Sequence, residues 1–515
     1  MNGAEALLHT LEASGVGVCF ANPGTSEMQL VSAIGKSHGM RPVLCLFEGV
    51  VSGAADGYGR MSERPAATLL HVGSGFSNSM ANLHNARQAN TSIVNIVGDH
   101  ATYHLQYDTP LKSDVGAHAE ICSSWVKVAQ SPDDLSAAGA EAVQASMQGA
   151  GAIATLIVPA DHAWNAANVV ASPALLPKPG IVPEAEILEA VNTLANSKPT
   201  ALILGGRALR EENLALAGRI ADSSGATLLV ETFPARFQRG AGRVPATRIP
   251  YFAEAAAEVL DQFEQIILIG AKPPVSFFAY PAKESWLAPS HCTVKELANP
   301  HHDIHNVLSS LVAILDAPDK PRVTTERIEP STAIGPLTSA AIGQTISALL
   351  PAGAIVSDEG ATCGLAVYAT TENAAPHDWL TLTGGAIGQG LPLSLGAAIA
   401  CPDRKVVALQ ADGSAMYTIQ ALWSMAREKA DVTIIILNNR SYAILNIELA
   451  RVGADEPNAK TLSMLELSNP DLNFIDIAKG MGVPASAATT AEQFHDQFSL
   501  AMTTPGPRLI EAILA

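Results

Sequence analysis

The sequence predicts an α/β protein of three domains, each built on a parallel sheet covered by helices. Length is the first observation behind this: 515 residues exceed what one ordinary core organises, and roughly two to four domains are expected at that size. The second is a repeated alternation of short apolar runs with segments of helical period, the pattern of strands buried on both faces. The third is a pair of proline-rich, irregular stretches, near residues 165–190 and 317–333, which part the chain into three blocks.

In the first block, residues 1–180, strands are expected at Gly17–Phe20, Pro42–Phe47, Ala67–Leu70, Ser92–Val97 and Ala154–Val158, with helical patterns between them. Pro173, Pro177, Pro179 and Pro183 then break the regularity. The second block, residues 190–325, opens on Thr200–Leu204 and continues through Ala226–Val230, Gln265–Ile269 and Cys292–Leu297. Pro318, Pro321 and Pro330 mark the next linker. The third block, residues 335–515, begins with a helix over Leu337–Leu350, with Pro336 in its first turn, where a missing amide hydrogen costs nothing. The strand Ala354–Ser357 follows. Val406–Gln410 and Thr433–Leu437 read as neighbouring strands, joined by a helix over Tyr417–Lys429 with Ile419, Leu422, Trp423 and Ala426 at helical spacing. The block closes on Pro507–Ala512.

Composition narrows the function classes. Apolar residues make up 48% and charged residues 16%, as in a globular protein with much buried surface. Net charge is 31 − 49 = −18, which opposes non-specific nucleic acid binding. No apolar run reaches the roughly 18 residues of a membrane span, and Met1-Asn-Gly-Ala-Glu5 lacks the basic start of a leader. A cytoplasmic location is therefore expected. Cys19, Cys45, Cys122, Cys292, Cys363 and Cys401 are dispersed without Cys-x-x-Cys spacing and read as free thiols.

Chemistry concentrates in a few places. Asp412-Gly-Ser414 and Asn439-Arg-Ser441 fall at the ends of two neighbouring strands, where ligands collect in open α/β sheets. Asp412, the Asn439 carbonyl and the Ser441 main chain offer hard oxygens that suit Mg²⁺, although Asp-Gly-Ser alone also reads as an ordinary turn. Gly384–Gly390 carries four glycines, suggesting backbone wrapped closely around something, and it departs from the dinucleotide fingerprint. Glu48 is expected at the end of the apolar strand Pro42–Phe47. It reads either as a cap or solvated edge, or as an enclosed acid equipped to exchange a proton. His71 and His100 each follow a strand and read as acid–base groups or as structural hydrogen-bonding residues. His84, His104, His118, His301 and His302 lack the spacing of a zinc site.

Taken together, Asn22-Pro-Gly-Thr-Ser-Glu27, Phe47-Glu48-Gly49, Ala54-Ala-Asp-Gly-Tyr-Gly-Arg60, Gly384-Gly-Ala-Ile-Gly388, Asp412-Gly-Ser414 and Asn438-Asn439 resemble the thiamine-diphosphate-dependent enzymes of the acetolactate synthase, pyruvate oxidase and benzoylformate decarboxylase group. The resemblance covers nearly the whole chain. It implies a thiamine-diphosphate-binding fold with a pyrimidine domain first, a middle domain, and a diphosphate domain last. It also implies a cofactor held between the first domain of one subunit and the third of another, hence a homodimer or homotetramer. By the same resemblance Glu48 contacts N1′ of the aminopyrimidine and favours its imino form, which takes the C2 proton. Asn22 and Pro23 join the cofactor-binding set. Gly385 holds the 4′-amino group through its carbonyl, and Ile387 supports the bent cofactor from beneath. Asp412, Asn439 and the Ser441 carbonyl hold Mg²⁺. Gly413, Ser414 and Tyr442, with Glu359, Gly360, Ala361 and Thr362, lie near the diphosphate.

The resemblance is incomplete at two points. Ala411 stands where the group has Gly before the Asp, and Pro274–Tyr280 offers Phe277 and Phe278 where benzoylformate decarboxylase has a histidine. Thr25 and His71 match its polar serine and first histidine, with His100 as a further proton-transfer candidate, and Ile444 and Glu448 imply a different acyl group. No self-sufficient flavin signal lies between Thr200 and Pro321. The expected function is decarboxylation of a small 2-oxo acid. The missing second histidine puts acetolactate-synthase-like ligation to an aldehyde or keto acceptor ahead of simple, benzoylformate-decarboxylase-like decarboxylation. A catalytically silent, cofactor-binding scaffold is the reading from a different class.

Overall fold

The computed structural model describes residues 1–454 and 457–514, organised as three α/β domains. The first sheet contains β1 (Val18–Asn22), β2 (Arg41–Leu44), β3 (Ala66–His71), β4 (Ile93–Asp99), β5 (Trp125–Val128) and β6 (Ile153–Pro159), ordered β2-β1-β3-β4-β6-β5. Every pairing in it is parallel. β4 and β6 are buried along nearly their whole length, so they read as continuous apolar runs rather than alternating ones. The middle domain carries β7 (Thr200–Leu204), β8 (Thr227–Val230), β9 (Phe237–Arg239), β10 (Thr247–Arg248), β11 (Gln265–Ile269) and β12 (Thr293–Ala298). Its own sheet is parallel, ordered β10-β8-β7-β11-β12.

The third sheet comprises β13 (Ile355–Glu359), β14 (His377–Thr381), β15 (Val406–Ala411), β16 (Val432–Asn438), β17 (Ala485–Ala488) and β18 (Arg508–Ile513), ordered β17-β18-β16-β15-β13-β14-β9. Its last member, β9, comes from the middle segment and pairs antiparallel with β14. The sheet is thus not purely parallel. An antiparallel edge strand needs no crossover helix, so a three-residue segment passing the open edge can close it.

The first and third domains meet through the helices Glu48–Ser62 and Gly390–Ala400. A Cβ on Gly57 would overlap Leu393, and one on Gly396 would overlap the Ala54 carbonyl, so the glycines are what lets these backbones approach. Arg60 fixes the same junction. It holds Asp56 in two hydrogen bonds of 2.8 and 2.6 Å and donates to the carbonyls of Ala235 and Thr381, so one buried guanidinium touches all three domains.

Two expectations need correction. The strand from Pro42 stops at Leu44, and Glu48 is the first residue of a helix rather than the end of a strand. The helix expected from Leu337 starts at Ser339, because the Thr338 hydroxyl caps the Ala341 amide (3.2 Å) and sets the start there. Pro336 lies outside that helix, bridged to Thr490. All six cysteines are free, and burial pushes the Cys19 and Cys45 thiols up to about 12. Among the described residues no helix is long and apolar enough to cross a membrane.

Candidate functional site

β15 and β16 pair in register from Val406↔Val432 to Ala411↔Leu437, so the chain leaves both at the same sheet edge. Asp412 and Asn439 are thereby brought together. The Asp412 carboxylate is 2% exposed, accepts the Gly413 amide at 2.8 Å and takes the Arg440 amide at 2.7 Å, tying the two turns directly. Burial pushes its carboxyl above the ordinary range, against the pull of these amides. The Asn439 side-chain oxygen accepts the Ser441 amide (3.0 Å), and Arg440 between them adopts a left-handed φ of 59°. The Ser441 hydroxyl and the Tyr442 amide both donate to the Leu465 carbonyl, at 3.3 and 2.9 Å. The Tyr442 ring lies against Gly413, where any Cβ would collide with it. Ala411 has φ −67° and ψ 146°, open to any L-residue, so glycine is not required there.

Glu359, at the end of β13, organises the glycine loop. Its buried carboxylate accepts the Gly388 and Gly390 amides, each at 2.6 Å, and the Gln410 amide group at 2.8 Å. Burial raises this carboxyl and the three donors lower it, leaving it net above the ordinary range. The other side of the loop is held by the first-domain helix Val72–Gln88. Asn85 donates to the Ala386 carbonyl (2.7 Å), Asn82 to the Gly388 carbonyl (3.2 Å), and the His84 ring sits 3.1 Å from the Gly384 carbonyl. Gly385 has φ +73°, and a Cβ on it would come within 2.6 Å of the Phe277 ring.

These pieces line one cavity of about 510 Å³. Gly360, Ala361, Thr362, Asp412, Gly413, Ser414, Asn439, Ser441 and Tyr442 form one end, Gly385 and Ile387 the floor, and Phe233, Tyr251, Phe277 and Phe278 an aromatic wall. The residues fit thiamine diphosphate with a hard cation: oxygen donors stand beside open backbone at one end and a glycine cradle stands beneath. Among the described residues no cluster of three or more His, Cys, Asp or Glu could hold a metal by itself. A cation here would need oxygens from a diphosphate to complete its shell.

No first-domain residue lines this cavity. Asn22, Pro23, Thr25, Glu48, His71 and His100 lie elsewhere, around the carboxyl ends of β1, β3 and β4. Glu48 is 7% exposed and accepts from the Asn78 amide group at 3.0 Å. Gly75 separates it from His71, since a Cβ there would meet the Glu48 carboxylate at 3.1 Å and His71 Cβ at 3.3 Å. His71 Nδ1 pairs with the Glu27 carboxylate (2.8 Å), which also accepts the Gly24 amide (2.7 Å), while Ser26 approaches the same ring nitrogen at 3.4 Å. Val72, next to His71, has φ +40°, a strained conformation for a β-branched residue and one that concentrates at functional sites. Thr25 is exposed beside this group. His100 contacts Asp99, Thr109 and His104 instead, so the structure does not join it to the Glu48–His71 pair.

Glu27, Asn78 and most of the aromatic wall join the candidate site only in the structure. Glu27 is fully buried with Oε1 unpartnered, and Gly98 supplies its space, since any Cβ there would overlap the carboxylate. An acid three residues after a Pro-Gly was the available signal. Phe233 and Tyr251 carried none, because they meet Phe277 only through tertiary packing, at centroid separations of 5.5 and 5.4 Å.

Residues 1–121 match the family profile "Thiamine pyrophosphate enzyme, N-terminal TPP binding domain", and residues 360–512 match "Thiamine pyrophosphate enzyme, C-terminal TPP binding domain". The chain is 48% identical to a Mycobacterium tuberculosis protein named "Putative acetolactate synthase large subunit IlvX", over 100% of this chain and 99% of that one. It is 28% identical to benzoylformate decarboxylase of Pseudomonas aeruginosa, over 97% of this chain and 96% of that one. Among solved structures, the thiamine-diphosphate-dependent 4-hydroxybenzoylformate decarboxylase of Rhodococcus jostii RHA1 superposes with a TM-score of 0.88 at 25% identity, covering 100% of this chain and 99% of that one.

Proposed function

Since the chain belongs to the thiamine pyrophosphate enzyme family, as a thiamine-diphosphate-dependent 2-oxo acid lyase or transferase, we propose that it carries out non-oxidative decarboxylation of a 2-oxo acid, in the manner of benzoylformate decarboxylase. One observation carries this reading: a single cavity joins hard oxygens and a glycine floor to a wall of four aromatic residues. A large apolar wall suits an aryl side chain better than the methyl of a small keto acid. The benzoylformate decarboxylase relatives weigh on the same side, and the relative named as an acetolactate synthase keeps ligation as the second reading.

In this reading Asp412, Asn439 and the Ser441 carbonyl hold Mg²⁺, and Gly360–Thr362 with Gly413 and Ser414 bind the diphosphate. Ile387 and Gly385 support the rings. Bound thiamine diphosphate supplies a nucleophilic carbon for the keto group and a cationic ring to accept the electron pair released with carbon dioxide. The chain supplies position and protons. Glu48 exchanges a proton with the aminopyrimidine N1′. His71, with Nδ1 engaged by Glu27, has Nε2 left to give or take a proton at the substrate, while Thr25 and Ser26 offer hydroxyls beside it. The cavity lacks first-domain residues, so the site is completed by Glu48 and His71 of a second copy, which makes the active unit at least a homodimer.

The test is a product assay with pyruvate and benzoylformate, thiamine diphosphate and Mg²⁺, with and without aldehyde acceptors. Free aldehyde without ligation supports the proposal. Acetolactate without free aldehyde moves the assignment to ligation, and absence of both turnover and cofactor binding sinks it.

A further inference from the structure

Resting on the decarboxylase reading, we propose that Arg248 is a specificity-determining residue, selecting a 2-oxo acid whose side chain ends in a second carboxylate. Arg248 closes β10 in the middle domain and reaches across to the third, where it lines the cavity together with Phe252, Asp358 and Leu365. Its guanidinium carbon lies 4.2 Å from the ring centroid of Tyr368, on the helix Ala361–Thr370. Tyr368 is itself fixed, edge-to-face with the fully buried Trp379 at 5.2 Å and stacked by Arg239 at 3.8 Å. Stacking engages the face of a guanidinium and leaves the N–H donors at its rim. Among the described residues these donors have no hydrogen-bond acceptor and no ion-paired acid. An oriented cation without an anion, on the wall of a cavity, is a seat for a carboxylate, whose two oxygens match the guanidinium fork.

The neighbouring charges leave this seat open. Burial raises the Asp358 carboxyl and the Arg248 charge is the foremost influence lowering it, so the two face each other. The Asp358 oxygens are nevertheless engaged elsewhere, by the Gly360 amide at 3.0 Å and the Trp379 indole at 3.2 Å. Arg239 donates to the Tyr368 carbonyl at 2.9 Å. Two guanidiniums thus stand against one enclosed carboxylate, since Glu372, the other acid acting on Arg239, is exposed to solvent. A single carboxylate cancels the excess positive charge, whereas a phosphate dianion would overshoot it beside Asp358. Elsewhere on the wall Glu448 is matched by Arg451 and Glu254 by Lys283, so that flank leaves the excess as it is. Position then distinguishes which carboxylate is held. Tyr368 stands about 10 Å along its helix from Ala361 at the hard-oxygen end. A firm ion pair to the carboxylate that departs as carbon dioxide would stabilise the ground state and oppose its loss. Arg248 therefore suits the carboxylate that stays.

The test compares two isosteric pairs, 4-carboxyphenylglyoxylate against its 4-carboxamide and 2-oxoadipate against its 6-carboxamide. Each is measured by kcat/KM and by calorimetric binding to the cofactor-loaded protein, native and with Arg248→Lys or Arg248→Gln. The native enzyme should favour the carboxylate about 10- to 100-fold in at least one pair. Arg248→Lys, which keeps the charge but loses the fork, should retain part of that ratio, and Arg248→Gln should bring it to about one. Turnover with a native ratio near one in both pairs, a ratio unmoved by Arg248→Gln, or a stronger preference for the 4-phosphono acid would overturn the proposal while leaving decarboxylation standing. The native ratio decides by itself if Arg248→Gln does not fold. Selective binding of the carboxylate without turnover would instead reject decarboxylation and uphold the role of Arg248.

Discussion

Glu359→Gln sets two physical effects against each other. If desolvation dominated, the neutral amide would relieve the burial that raises this carboxyl and would stabilise the fold. Counting donors gives the opposite sign. The carboxylate accepts three, from Gly388, Gly390 and Gln410, whereas a carboxamide oxygen has two lone pairs and its NH₂ must face one of the donors. The substitution therefore loses a charge-assisted bond, about 1.5–3 kcal/mol, and leaves a buried N–H unpaired, about 1–3 kcal/mol. Even after the relieved desolvation is subtracted, a net loss of about 2–4 kcal/mol is expected, concentrated in the third domain. The glycine loop should loosen, and thiamine diphosphate affinity should fall by at least about tenfold. Circular dichroism melts and titration of cofactor by intrinsic fluorescence measure the two effects. A variant as stable as the native protein, with unchanged cofactor affinity, would refute the claim that Glu359 acts as a three-donor anchor.

Three other perturbations test separate parts. Glu27→Gln should lower kcat about 10- to 100-fold with KM moved less than about threefold, since it disturbs the orientation of His71 while leaving the third-domain cavity intact; steady-state kinetics checks this. His377 is fully buried, and burial followed by Arg239 pushes it down to about 3. The folded state therefore keeps it neutral while the unfolded chain protonates near 6.5. Its contribution is present above pH 6.5 and is lost as pH falls towards 3, at up to about 1.4 kcal/mol per unit, so urea midpoints should drop on acidification and His377→Gln should flatten the slope. Mg²⁺ alone should bind weakly, with a Kd of about 1 mM or above, and tightly only with thiamine diphosphate; calorimetry checks both, and Asp412→Ala should abolish the coupled binding.

Much of the site was legible because its carriers are local. Asp412 and Asn439 follow apolar runs whose pairing places both turns at one sheet edge, and the glycines of 384–390 announce a backbone that must approach something closely. What stayed hidden depends on tertiary placement. Leu46 and Phe47 extend the apolar run and so point to Glu48 at a strand end, yet the strand stops at Leu44 and Phe47 serves as the helix N-cap residue. β9 was invisible as a strand because three residues carry no period, and only the open edge at β14 gives them a partner. The role of Glu359 was blurred for a similar reason: its three donors come from two distant segments.

The active site is proposed to be shared between copies, with Glu48 of one acting on cofactor held by Asp412 of another. Co-expression of Glu48→Gln and Asp412→Ala chains tests it directly. Each variant alone should be inactive. Random mixing makes half the dimers hybrid, each with one intact and one doubly damaged site, so the mixture should recover about one quarter of native specific activity. No recovery, with hybrid dimers demonstrated by differential tagging, would contradict the account and place both residues in the same chain's site.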